Sequence, residues 1–110
     1  QKTLEHSLIQ RLAADFGTPL WVYDAATIKS RIAALKSFDT IRFAQKACSN
    51  THILRLMREE GVAVDAVSPG EIKRALAAGF SSKGGKSEIV FTADLATEET
   101  LALLAEHEIP

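Results

Sequence analysis

The stretch Ile41-Arg42-Phe43-Ala44-Gln45-Lys46-Ala47-Cys48-Ser49-Asn50 runs from an apolar strand pattern, through a lysine near its end, to small polar residues that open a helix. Read outward from it, the same rhythm recurs twice. A strand over residues 41–47 precedes a helix over about 51–60, a strand over 62–67 precedes a helix over about 69–78, and a strand over 89–92 precedes a helix beginning at Thr97. Ile72, Ala75 and Leu76 share helical spacing, as do Leu101 and Leu104, while the strand segments are short and rich in Val, Ile and Phe. Consecutive strand–helix units make the chain α/β, with a parallel sheet and right-handed crossovers. Ligands bind beyond the strand ends from which the helices start, in closed barrels and open sheets alike. Lys46, Asp65 and Thr92 fall at those ends, so they are expected on one face.

Upstream, Leu4, Leu8, Ile9, Leu12 and Phe16 recur at helical spacing, and Gly17 supplies a left-handed stop. Thr18-Pro19 then imposes extension, so residues 20–23, Leu-Trp-Val-Tyr, predict a short aromatic strand. Asp24 is placed to cap a second helix with an Ile28, Ile32, Leu35 stripe, ending near Phe38. Residues 1–40 thus form a helix–strand–helix lead-in, and residues 41–110 a partial barrel-type domain. The polar, glycine-rich segment 81–87 reads as a surface loop on the face opposite Lys46.

Composition narrows the function. A hydrophobic content of 46% supports a modest folded core, and a formal charge of −1 gives no broad field for nucleic acid or an anionic membrane. His6, His52 and His107 are too scattered for a metal site, and the lone Cys48 has no internal disulfide partner, which fits a reducing compartment. No apolar run approaches the roughly 20 residues that span a bilayer, and no secretory signal pattern opens the chain. A cytoplasmic location is the expectation. The chain opens on Gln1 and stops at Pro110 where a helix gives way to extended chain, so a piece of a larger protein is expected.

Lys46 carries the chemistry. A neutral amine in partly desolvated surroundings attacks a carbonyl to form an imine, which makes pyridoxal phosphate the plainest cofactor. Phe43, Ala44 and Ala47 are expected to exclude water while leaving room for a flat ring. A lysine whose stem runs along the sheet edge with its head in water is the competing reading. Asp65 at its strand end, and Thr92 and Asp94 in the loop after the third strand, are further candidates, although a loop-edge aspartate also serves simply to accept backbone hydrogen bonds. Ser68-Pro69-Gly70-Glu71 matches a reciprocal helix cap with proline at the first helical position, which explains both polar residues without catalysis. Cys48 reads as a small buried thiol and His52 as a surface residue. Gly85-Lys86-Ser87 fails as a phosphate loop: Phe80 stands where the earlier glycine is needed, and the segment precedes a strand.

Residues 16–24, 41–50, 62–68, 70–72 and 75–80, taken together and in order, resemble the start of the barrel domain of the diaminopimelate decarboxylase family. That family belongs to the alanine-racemase-like, fold-type III pyridoxal-phosphate enzymes. The resemblance covers essentially the whole chain. It implies the first three strand–helix units of a parallel (β/α)8 TIM-type barrel, preceded by a helix, a short strand and a helix. It also implies that Lys46 holds pyridoxal 5'-phosphate covalently, with Ala44 and Asp65 beside the cofactor. Gln45 and Cys48 depart from the usual Ala-Val-Lys-Ala-Asn form, in a way that the enteric-type decarboxylases share. The implied reaction is decarboxylation of meso-diaminopimelate to lysine by a cytoplasmic homodimer. The implied phosphate cradle, pyridine-nitrogen partner, remaining barrel units and C-terminal β domain lie outside this sequence, so the 110 residues alone are expected to be inactive. An ornithine/arginine decarboxylase, an amino-acid racemase, or a non-catalytic α/β module in which Lys46 is a surface cation are the alternatives.

Overall fold

The computed structural model describes residues 4–110. Its elements, in order, are α1 (His6–Phe16), α2 (Ala25–Ala33), β1 (Arg42–Ala44), α3 (Thr51–Glu59), β2 (Ala63–Ala66), α4 (Pro69–Ala77), β3 (Ile89–Phe91) and α5 (Glu98–Glu106). Two 3-10 turns, Gln45–Ala47 and Lys83–Gly85, follow β1 and precede β3. The strands form one parallel sheet in the order β1-β2-β3, as three successive strand–helix units require.

Helices α2 to α5 each start at a side chain that satisfies free amide donors, whereas α1 follows Glu5 without a side-chain cap. Asp24 accepts from the Ala26 and Thr27 amides, Asn50 from His52 and Ile53, Ser68 from Glu71, and Thr97 from Thr100. The Glu71 carboxylate accepts from the Val67 amide at 2.8 Å, one residue before the amide that a reciprocal cap with Ser68 would use.

Helices α3, α4 and α5 end alike. The amide two residues past the cap returns to a carbonyl in the last turn: Val62 to Met57, Phe80 to Ala75, and Ile109 to Leu104. The intervening residue has a positive φ in each case, at Gly61, Gly79 and Glu108. This turn delivers Val62, Phe80 and Ile109 into the interior, where they are 4%, 2% and 7% exposed. The core lies between these helices and one face of the sheet: Leu54, Val64, Ala66, Ile72, Ala75 and Ile89 anchor it, with Phe43, Leu103 and Leu104 packed against it.

Several sequence expectations need correction. Residues 20–23 pair with no strand among the described residues, and Trp21 is 87% exposed. A strand exists only where a neighbour takes its backbone groups, and β1 to β3 pair with one another instead. β1 ends at Ala44 rather than at residue 47. The second helix stops at Ala33 and continues as turns, leaving Leu35 exposed. In α5, Leu103 and Leu104 face the core whereas Leu101 is exposed. The 81–87 loop does lie at the strand starts, tied by Arg42 Nη1 donating to the Ser87 carbonyl at 3.0 Å. Ser82 within it is buried, exchanging hydrogen bonds with the Ile89 backbone.

Candidate active site

Strand alternation decides which side chains gather at the ligand-facing end of the sheet. Phe43, Val64 and Ile89 lie side by side in register and turn toward the helices. The next row, Ala44, Asp65 and Val90, therefore turns to the opposite face. Thr92 follows β3 with the parity of Val90, and its amide donates to the Ala66 carbonyl at 3.1 Å, extending the register by a residue. Its hydroxyl donates to Asp65 Oδ1 at 2.7 Å. Thr92 and Asp65, expected to share a face, are in direct contact.

Lys46 stands just beyond Ala44, in the 3-10 turn rather than in the strand. The turn has a visible cause. Gln45 is fully buried and its Nε2 donates to the Glu71 carbonyl at 2.7 Å, while its own carbonyl accepts from the Cys48 amide at 3.0 Å and Ser49 Oγ at 3.2 Å. Adjacent residues in a 3-10 turn point about 120° apart, so burying Gln45 sends Lys46 outward. Lys46 is exposed, and its amine makes no ion pair or hydrogen bond among the described residues.

The expected exclusion of water is not provided by these residues. Ala44 and Ala47 are themselves exposed and Phe43 packs into the core, so these three side chains leave the amine open to water. Their small size does leave the space beside Lys46 open. Cys48 is half-buried rather than buried, with Sγ 3.8 Å from the Tyr23 hydroxyl. The Cys48 thiol, through that hydrogen bond and then through its charge when ionised, raises the Tyr23 phenol above its ordinary range. His52 and Asp94 are exposed, and neither joins the cluster. Among the described residues, no three His, Cys, Asp or Glu side chains gather as metal ligands would, and no helix is long and apolar enough to cross a membrane.

Gln45 is a contributor that the sequence marks only as a departure from a motif, because its partner carbonyl lies 26 residues away. Thr92 is a candidate from sequence, and strand parity is the signal that pairs it with Asp65.

The parallel strand–helix scaffold thus presents an exposed lysine just past β1, next to a sheet face that carries Ala44 and the Asp65 carboxylate bonded by Thr92. The chain belongs to the family described as the pyridoxal binding domain of pyridoxal-dependent decarboxylases, whose model matches residues 25–110. It is 62% identical over 100 residues to the diaminopimelate decarboxylase of Escherichia coli K12, covering 91% of this chain and 24% of that protein. To the diaminopimelate decarboxylase of Streptomyces coelicolor it is 65% identical over 98 residues, covering 89% of this chain and 22% of the other. A crystal structure of diaminopimelate decarboxylase superposes on 97% of this chain and 25% of its own, with a TM-score of 0.94 and 59% identity. A lysine/ornithine decarboxylase from Vibrio vulnificus, at 20% identity, superposes with a TM-score of 0.84 and so shares the fold. The chain spans about a quarter of the length of the curated relatives it matches.

Proposed function

We propose that this chain is the lysine-bearing part of a diaminopimelate decarboxylase, which releases carbon dioxide from meso-diaminopimelate to leave L-lysine. The observation that carries this reading is the Lys46 amine, without a partner among the described residues, on an open turn beyond β1 and adjoining the face that Ala44 and Asp65 share. These residues suit pyridoxal phosphate. A primary amine is the group that condenses with its aldehyde, alanine leaves room for a planar ring, and the Asp65 carboxylate is held by Thr92 rather than free to swing. When bound, the cofactor supplies an electron sink for the pair left on the substrate's α-carbon as carbon dioxide departs.

The chain's own residues then divide the work. Lys46 would hold the cofactor covalently, and Ala44 and Asp65 would lie beside it. The sheet end would fix these residues relative to one another and so orient what they bind. In this reading residues 1–40 are a lead-in, residues 41–110 belong to the barrel, and later barrel segments, a C-terminal β domain and a partner subunit complete the site. The working protein is then a cytoplasmic homodimer.

A substrate panel on the full-length protein tests the choice of reaction. Carbon dioxide release from meso-diaminopimelate, with ornithine, arginine and lysine turned over far more slowly, is expected. Preferential decarboxylation of ornithine or arginine, or racemisation of an amino acid without gas release, would assign the chain to another enzyme of the same fold.

A further inference from the structure

Gln45 is buried completely beside Lys46, yet the proposed reaction gives it nothing to do. Its Nε2 donates to the Glu71 carbonyl at 2.7 Å, and its Oε1, equally buried, has no partner among the described residues. The orientation of the amide follows from this contact, since turning it over would set one carbonyl against another. A buried acceptor without a donor costs stability, whereas an apolar side chain of similar length would fill the space without that cost. Packing alone therefore does not account for an amide here.

Its position in the turn does. The side chain pins the first residue of the 3-10 turn to the first turn of α4, and the next residue, Lys46, is thereby directed to the open face. Glu71 supplies the carbonyl that receives Gln45. Glu71 is itself fixed by the Val67 amide and Ser68 Oγ, directly after the strand that carries Asp65. One hydrogen bond thus connects the lysine turn to the strand end of the carboxylate.

We propose that Gln45 is a positioning residue for the Lys46 amine: its hydrogen bond to α4 sets the direction and reach of Lys46 relative to Asp65 without touching cofactor or substrate. The inference rests on the reading of Lys46 as the cofactor's anchor.

The test compares full-length wild-type protein with Gln45→Met, which keeps the length of the side chain and removes both the donor and the unpartnered oxygen. Three quantities are measured: the melting temperature of the cofactor-free protein, the dissociation constant for pyridoxal phosphate, and the pH midpoint of the bound cofactor's visible absorbance. The melting temperature is expected to stay near wild type, the dissociation constant to rise about tenfold, and the midpoint to move. An unchanged dissociation constant and midpoint would overturn the proposal. So would a loss of affinity matched by an equal loss of stability with the midpoint unmoved, which is the signature of a packing role. Should Gln45→Met fail to fold, Gln45→Val, the residue usual at this place in the family, takes its part. Borohydride reduction and peptide mapping of the wild type separate the two layers. An adduct on another lysine removes the anchor reading and this inference with it, whereas an adduct on Lys46 alongside an unaltered Gln45→Met overturns the inference alone.

Discussion

The Thr92 hydroxyl reaches across from the end of β3 to a carboxylate on β2, and that 2.7 Å contact decides how freely Asp65 moves. A hydrogen bond to a charged group is worth more than one between neutral groups, because the acceptor carries a full charge. Replacing Thr92 with valine keeps the shape and removes the donor, so Asp65 should swing toward solvent. If Asp65 flanks the cofactor, Thr92→Val in the full-length protein weakens pyridoxal phosphate binding by about fivefold, on the order of 1 kcal/mol. Equilibrium dialysis measures this, and unaltered affinity would mean that the braced carboxylate contributes nothing to binding. Asp65 and Thr92 were legible as neighbours because strand ends are local features of the sequence, whereas Lys46 lies in the turn past β1 rather than in the strand. The buried state of Gln45 was not legible. It depends on a carbonyl in α4, and no pattern within residues 41–50 announces a contact that the fold alone creates.

At the scale of elements, the helix starts were readable and the strand lengths were not. Asp24, Ser68 and Thr97 are short polar residues standing before apolar periodic segments, and each caps its helix as its side-chain chemistry dictates. Strands carry no such marker at their ends, so residues 45–47 read on paper as the end of β1, whereas they form a turn that starts at the buried Gln45. Residues 20–23 show the opposite limit, since high strand propensity there finds no neighbouring strand among the described residues. Helix ends offer a quantitative check. Gly79 has φ of 98° between Ala78 and Phe80, and a methyl group added there would meet the Arg58 side chain only at ordinary contact distance, 3.7 Å or more. The cost of Gly79→Ala is therefore that of the backbone conformation, about 1 kcal/mol. Denaturant unfolding of the full-length protein should show that loss, while an alanine tolerated without cost would mean that the turn after α4 does not need its positive φ.

For the whole molecule, three strand–helix units build a core on one face of the sheet and leave the row Ala44, Asp65 and Val90 on the other. That asymmetry explains both the stability and the incompleteness of the candidate site. The helices bury Leu54, Ile72 and Ile89 completely, yet Lys46 and its small neighbours Ala44 and Ala47 stay open to water. The outer edge of β3 is already engaged at one point, where the Phe91 amide donates to the Pro110 carbonyl at 2.8 Å. In a protein about four times this length, as the matched relatives are, further segments have room to enclose the amine that this chain presents. Lys46 is the decisive residue. The full-length protein, incubated with pyridoxal phosphate, reduced with borohydride and digested, should yield one dominant modified peptide carrying the cofactor on Lys46. A dominant adduct on any other lysine, or labelling spread evenly over all of them, would contradict Lys46 as the anchor.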